Sequence, residues 1–411
     1  MGNSTNNQML DWLDSQQLAM QSLLPIWCDV NSGSYNPSGV DKVGDLIADY
    51  VLNNLPTEQT ITALKKTEFV EADGELTHRE VGKLRRFKKL NAPSNPKLKV
   101  LLTGHLDTVF PIDSPFQQCH SIEEGILGGP GVADMKGGIL VMINALHAIE
   151  RSSVADQIDW EIILNPDEEI GSQSSIDIMC EAAKTAQIGL VYEPSMPTGD
   201  LAAARKGSGN FSLIIDGKAA HAGREFHLGR NAISALAFAM QELEKINANN
   251  TGITLNLGKI SGGGPLNIVA DRSLCQFNVR VEDEAQARLA QQHIDRVVQA
   301  TNQLDGIQAK LVGKFTRPAK PASPTQQKLF ELVTSCGAEL DMQIAFKPTG
   351  GCCDGNNLAA AGLPNIDSLG VQGGNIHSHQ EYVLLDSLAE RAKLSALIMM
   401  KLISEKSQWL I

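Results

Sequence analysis

A chain of 411 residues is too long for one ordinary hydrophobic core, so two domains are expected. Apolar residues make up 42% and charged residues 20%, the balance of a soluble globular protein. The excess of 47 acidic over 35 basic side chains, a net charge of −12, disfavours nucleic acid and anionic membranes as partners.

Seven cysteines, odd in number and irregularly spaced, fit a reducing compartment better than a disulfide framework. The N-terminal stretch MGNSTNNQMLDWLDSQQ has neither the basic nor the apolar segment of a signal peptide. Asn6 breaks the myristoylation pattern. No window approaches the roughly 18 uninterrupted apolar residues of a membrane span. A cytoplasmic setting is expected.

Residues 11–54 carry helical periodicity in Trp12, Leu18, Met20, Leu23 and Leu24, then Val43, Leu46, Ile47 and Val51, broken by the turn-like NSGSYNPSG. Residues 58–72 and 78–90 read as strands around the turn Asp73–Gly74. Leu98 to Thr103 is a short buried strand. It ends in Gly104, and His105 and Asp107 follow, two apart and therefore on one side of an extended chain. A Pro- and Gly-rich loop is expected over 111–131, then a helix after Gly137–Gly138 that buries Leu140, Ile143, Ala145, Leu146 and Ile149. Residues 160–165 read as a strand, 176–186 as a helix and 188–192 as a strand. Strand, helix, strand, helix, strand at this pitch gives a largely parallel sheet with helices on its faces.

From about Leu201 the pattern changes. Strands are expected at 211–216, 252–260, 273–281 and 307–315, and helices at 231–247 and 284–302. That order, βαββαβ, is the split-βαβ signature of a small antiparallel sheet covered by two helices. The segment RPAKPASP, 317–324, reads as a linker on its three prolines. A helix at 325–339, a strand at 342–346, a Gly-rich stretch at 350–374 and a closing helix at 385–404 resume the first pattern. The expected α/β architecture is thus a mixed, largely parallel sheet between helices, formed by residues 1–200 and 317–411. An α+β domain, 201–316, is inserted in it.

Hard ligands gather at the ends of these strands. GPGVADMKGG places Asp134 at a helix entry, NPDEEIGS places Asp167, Glu168 and Glu169 after one strand, and YEPS places Glu193 after the next. NIHSHQEYV places His377 and His379 in a late loop. Singly, acids in such places are common helix N-caps. Together they bring His, Asp, Glu, Glu and His to one edge of one sheet. Nitrogen and oxygen donors without thiolate suit zinc, with manganese or cobalt as substitutes. Three ligand carboxylates and a bridging hydroxide are neutralised by two divalent ions.

The ordered set GHLDTV, GPGVADMKGG, DEEIGS, YEP, GKAAHAG and HSHQEYV, spanning Leu98 to Val383, resembles the co-catalytic di-zinc peptidases. That family includes glutamate carboxypeptidase of the carboxypeptidase G type, acetylornithine deacetylase, succinyl-diaminopimelate desuccinylase and the aminoacylases. The resemblance implies that His105 and Glu193 bind one zinc, Glu169 and His377 the other, and that Asp134 bridges them. It implies a cis peptide after Asp134, Asp107 behind the ring of His105, and Glu168 as general base. His379 is off the family's ligand position and reads as a loop residue.

In the inserted domain, His221 of GKAAHAG matches a histidine that reaches the neighbouring subunit's active site, which implies a homodimer with the insertion as its dimerisation or lid domain. Asn267 and Arg280 match positions that bind the reacting carbonyl and the substrate carboxylate; a mid-strand guanidinium needs an anion, which a structural salt bridge would also supply. Gly350–Gly351 with Asp354 resembles the family's GG-x-D loop, here interrupted by Cys352 and Cys353, which read as small buried residues. The expected activity is hydrolysis of a small acidic peptide, glutamate carboxypeptidase-like, with N-acyl-amino-acid deacylation as the alternative and a non-catalytic dimer as a remote one.

Overall fold

The computed structural model describes residues 2–92, 98–249, 252–405 and 409, with side chains from residue 7 onward. A six-stranded sheet runs in the order Thr57–Thr62, Leu84–Lys89, Asp159–Asn165, Lys99–His105, Ile188–Val191, Asn365–Ile366. Its first two pairings are antiparallel and the other three parallel.

Alternation along the central strands sorts side chains to two cores, as the two-residue period of a strand requires. Val100 and Leu102, with Trp160, Ile162 and Leu164, face the larger core; Leu101 and Ile163 face a smaller one on the opposite side. Residues 100–102 and 162–164 are therefore apolar on both sides of the sheet, because helices cover both faces. The helix Lys136–Glu150 lies in the larger core and is buried almost all round, packed against the closing helix Ser387–Ser404. Each fully buried Leu, Ile or Trp in that layer contributes roughly 1.5–3 kcal/mol. Glycine is required where that helix starts: a Cβ on Gly138 would run into the Tyr192 carbonyl oxygen. The close approach brings the loop that carries Asp134 alongside Glu193.

The second sheet has the order Thr254–Gly262, Arg272–Val281, Gly207–Asp216, Gln308–Arg317, wholly antiparallel. The helices Ala232–Glu244 and Glu284–Asn302 cover one face, burying Phe211, Leu213, Ile215, Cys275, Phe277 and Val279 in a core of their own. The other face carries an apolar cluster in which Ile214, Leu274 and Val312 pack with Val70, and polar side chains, of which Asn210, Asn278 and Arg280 line one cavity with Asp134, Glu168 and Glu169.

Several elements differ from the sequence reading, beginning with the expected strands 58–72 and 78–90, which are four: Thr57–Thr62 pairs with Leu84–Lys89, and Thr67–Val70 with Leu76–Arg79. Inside the expected loop 111–131 a hairpin forms, His120–Glu123 with Ile126–Gly128. The expected strand 342–346 starts only at Phe346 and runs to Thr349, because Met342 donates back to the Gly337 carbonyl and closes the preceding helix. It pairs in parallel with Leu201–Arg205, a strand that the sequence reading passed over. The segment 317–324, expected as a linker, is exposed at its three prolines but anchored at two buried side chains. Its prolines specify extended backbone, and the anchors are Arg317 and Lys320.

Candidate metal centre

The central strand Lys99–His105 has its carboxyl end beside the ends of its two neighbours, so chain topology alone delivers His105, Glu168, Glu169 and Glu193 to one crevice. Ligands of open α/β sheets bind at that edge. Asp134 joins them from the loop before the helix Lys136–Glu150; its peptide to Met135 is cis.

Two triads result. His105, Asp134 and Glu193 offer ligand atoms within 4.8 Å of one another, and so do Asp134, Glu169 and His377. Asp134 belongs to both. Its Oδ1 lies 3.1 Å from His105 Nε2 and its Oδ2 3.3 Å from His377 Nε2. His377 Nε2 is 3.2 Å from Glu169 Oε2. His105 Nδ1 lies 2.9 Å from the Asp107 carbonyl oxygen and 3.5 Å from its Oδ1. The ring N–H on Nδ1 donates there, so a cation bound between His105, Asp134 and Glu193 would find the Nε2 lone pair available, the tautomer a ligand needs.

Asp107 is tied further. Its carboxylate accepts from Ser34 Oγ at 2.7 Å and from the backbone N–H groups of Glu168 and Glu169 at 3.0 and 3.1 Å. It therefore fixes the Glu pair as well as the histidine.

The carboxylate donors crowd negative charge where little solvent reaches, with exposed His377 at the rim. Burial and the neighbouring Asp134 hold the Glu193 carboxyl well above its usual range, and burial raises Glu169. Burial lifts Glu168 to about 8, although the Arg317 guanidinium opposes it. His377, bonded to Asp134 and Glu169, rises to about 11. Such an assembly favours cations among the carboxylates, which would otherwise hold protons to shed their charge. The donor set therefore fits divalent metal.

Two residues missed in the sequence organise the centre. Arg317 Nη2 donates to Glu168 Oε1 at 2.6 Å and to the Glu168 carbonyl at 3.0 Å, while its Nη1 pairs with Asp354. Its only signal was an Arg at the end of a strand before proline. Glu381, buried, accepts from the N–H groups of Gly131, Ala133 and Asp134 at 3.1, 3.0 and 3.0 Å. Its signal was the acid in HSHQEYV, to which no role was given.

Beside the triads opens a cavity of about 410 Å3 that Arg205, Arg280 and Arg317 line together with Gly351 and Cys352. Arg205 is paired bidentately with Asp367. Arg280 touches only neutral partners, Asn278 Oδ1 at 2.8 Å and Cys352 Sγ at 3.0 Å. Cys353 is buried and caps the short helix Asp354–Ala360.

His221 and Asn267 lie elsewhere. Their loops are joined by the Ala222 N–H to Asn267 carbonyl bond of 2.9 Å and a bridge from His221 to Ile268, and both residues are exposed. Within one chain they are not brought to the metal centre. His379 packs its ring against Phe116 and Phe110, away from the triads.

Comparison with known proteins places this geometry. The description "Peptidase family M20/M25/M40" matches residues 101–401. Carboxypeptidase G2 of Pseudomonas sp. is 27% identical over 401 residues, covering 97% of this chain and 92% of that protein. Succinyl-diaminopimelate desuccinylase of Hahella chejuensis is 26% identical, covering 78% and 86%. Among solved structures, the M20 family metallo-carboxypeptidase Sso-CP2 of Sulfolobus solfataricus superposes with a TM-score of 0.70 at 16% identity, over 92% of this chain and 98% of that one.

Proposed function

Because this chain belongs to peptidase family M20/M25/M40, whose members hydrolyse C–N bonds with metal, we propose that it cleaves an amide bond next to a carboxylate-bearing residue, as a glutamate carboxypeptidase-like exopeptidase. One observation carries the reading. Two ligand triads share Asp134, and the same cavity holds buried Glu168 and an arginine whose partners are neutral.

His105 and Glu193 would hold one ion, Glu169 and His377 the other, and Asp134 would serve both; zinc would suit these donors, with cobalt or manganese as substitutes. Bound there, two divalent ions supply Lewis acidity to the scissile carbonyl and to the attacking water. Glu168 takes the water's proton and returns it to the leaving amine. Its raised carboxyl suits this exchange near neutral pH. Asp107 keeps the His105 tautomer and the Glu168–Glu169 backbone in place. Arg280 holds the substrate carboxylate, and Gly351 forms part of the wall against which that group lies.

The reading extends to a homodimer in which His221 and Asn267 serve the partner's site. In support, Phe226, Leu228, Ile233, Ile260, Leu266 and Ile268 are large apolar residues exposed on the inserted unit, whose bounds we take as 201–316. No helix among the described residues is long and apolar enough to cross a membrane. All seven cysteines are free thiols, which agrees with a reducing cytoplasmic setting.

The similarity to a desuccinylase favours one alternative, N-acyl-amino-acid deacylation. Metal-reconstituted protein assayed on dipeptides with C-terminal glutamate, and on N-acetyl and N-succinyl amino acids, separates the two. The first reading requires kcat/KM at least tenfold higher on the dipeptides. Preference for the acyl amino acids installs the alternative, and no hydrolysis of any of them refutes both.

A further inference from the structure

Three guanidinium groups face the cavity beside the metal centre, and they are not alike. Arg205 is paired with the Asp367 carboxylate, and Arg317 with Glu168 and Asp354. Arg280 alone among the three has no carboxylate partner among the described residues. A thiol and an amide hold it instead.

The amide is Asn278, two residues earlier on the same strand and therefore on the same face. Antiparallel register sets it directly opposite Asn210 on one side and Asn256 on the other. Its Nδ2 donates to Asn210 Oδ1 at 2.7 Å, Ser208 Oγ at 3.0 Å and the Gly209 carbonyl at 3.2 Å. With the nitrogen committed to acceptors, Oδ1 can only face the other way, where it accepts from Arg280 Nε at 2.8 Å. One guanidinium edge is thus fixed and the fork is aimed, while the full positive charge is kept. An aspartate would set a second acceptor oxygen against the Asn210 amide oxygen and the Gly209 carbonyl, with only the Ser208 hydroxyl able to donate to it, and it would place a negative charge beside Arg280 before any ligand arrived.

We propose that Asn278 is a positioning residue that orients Arg280 without neutralising it and so sets the selectivity of the cavity for substrates with a free carboxylate. The inference rests on the reading above that Arg280 receives the substrate carboxylate. Exchange of the amide for a carboxylate of the same shape supplies an internal competitor for that anion. Removal of the side chain releases the fork but adds no charge.

The test compares Asn278→Asp, Asn278→Ala and Arg280→Gln in the metal-loaded full chain, on a C-terminal glutamate dipeptide and on the same dipeptide with its terminal carboxylate replaced by carboxamide. Asn278→Asp is expected to raise KM for the carboxylate substrate at least tenfold, with kcat within about threefold, unaltered metal content and little change for the carboxamide. Asn278→Ala should raise the same KM by a smaller factor. Should turnover be too slow to measure, the calorimetric Kd of glutarate replaces KM, with the same order expected.

A merely structural residue would lower kcat, metal content or melting temperature for both substrates alike, and that result overturns the proposal. So does an unchanged KM in Asn278→Asp when Arg280→Gln raises it. An unchanged KM in Arg280→Gln itself instead removes the underlying assignment of Arg280.

Discussion

Glu381→Gln probes how the bridging aspartate is held. The Glu381 carboxylate receives three backbone N–H groups from the loop Gly131–Asp134, two on Oε1 and one on Oε2. A glutamine has one acceptor oxygen. Kept toward Ala133 and Asp134, it leaves its NH2 against the buried Gly131 N–H, so one donor loses its partner and the other two lose a charged acceptor. An unsatisfied buried donor costs about 1–3 kcal/mol. At about 2–4 °C per kcal/mol for a unit of 150–250 residues, the metal-free protein should melt roughly 2–12 °C lower.

Metal affinity should fall as well, because the loop fixes the backbone from which Asp134 reaches both triads; outer partners of ligands are typically worth about 10–100-fold in affinity. Thermal unfolding of the metal-free chain and competition against a chromophoric chelator read the two effects. Glu381→Ala, which orphans all three donors, should exceed Glu381→Gln in both. A Glu381→Gln protein with wild-type melting temperature and wild-type metal affinity would show that the loop holds itself, and that the acid is incidental.

Further outcomes follow from the same geometry. Glu168→Ala should retain its metal yet lose about 10²–10⁴-fold in kcat, measured by metal analysis and single-substrate kinetics; full activity would remove it as the base. Asp107→Asn puts an NH2 where its carboxylate now accepts the Glu168 and Glu169 N–H groups, and should weaken metal binding about 10–100-fold while the chain still folds; an unfolded product would make the pair structural. In the metal-free protein, Glu168, Glu381 and Asp167 are raised, chiefly by burial, to about 8, 7 and 6, so the folded state binds protons that the unfolded chain has released. Their stabilising contribution is full below about pH 4 and is lost as pH rises through those values, and raised His377 acts in the same direction. The melting temperature of the metal-free chain should therefore fall from about pH 5 to pH 8, and saturating metal should flatten the curve; a metal-free melting temperature that climbs over this range would contradict the assigned burial.

How far the sequence could be read depends on how local each feature is. The apolar runs at Val100–Leu102 and Trp160–Leu164 announce buried strands by themselves. The acids and histidine that follow these strands must share an edge once the sheet is parallel, so the ligand cluster could be anticipated from order along the chain. Arg317 and Glu381 could not be placed in this way. Their partners lie 149 and about 250 residues away, and nothing in RPAKPASP or HSHQEYV states which backbone they will meet. At 317–324 the prolines are exposed, as a linker's would be, but they carry no sign that Arg317 and Lys320 beside them turn inward. The strand before Asp354 was misplaced because the helix Pro324–Glu339 closes through Met342, and no residue pattern marked that closure.

The same distinction separates chemistry from control in this site. Three of the five candidate ligands, His105, Glu169 and Glu193, lie at or just beyond the ends of adjacent strands, where topology places them at almost no cost in specific contacts. The groups that set their charge come from remote segments and work through hydrogen bonds: Ser34 on Asp107, Glu381 on the Asp134 loop, Arg317 on Glu168, Asn278 on Arg280. The ligand edge can therefore stay fixed while a single exchange on a remote segment, amide for acid at position 278, changes the charge that a substrate meets. Selectivity in such a chain is best sought one hydrogen bond away from the residues that touch the ligand.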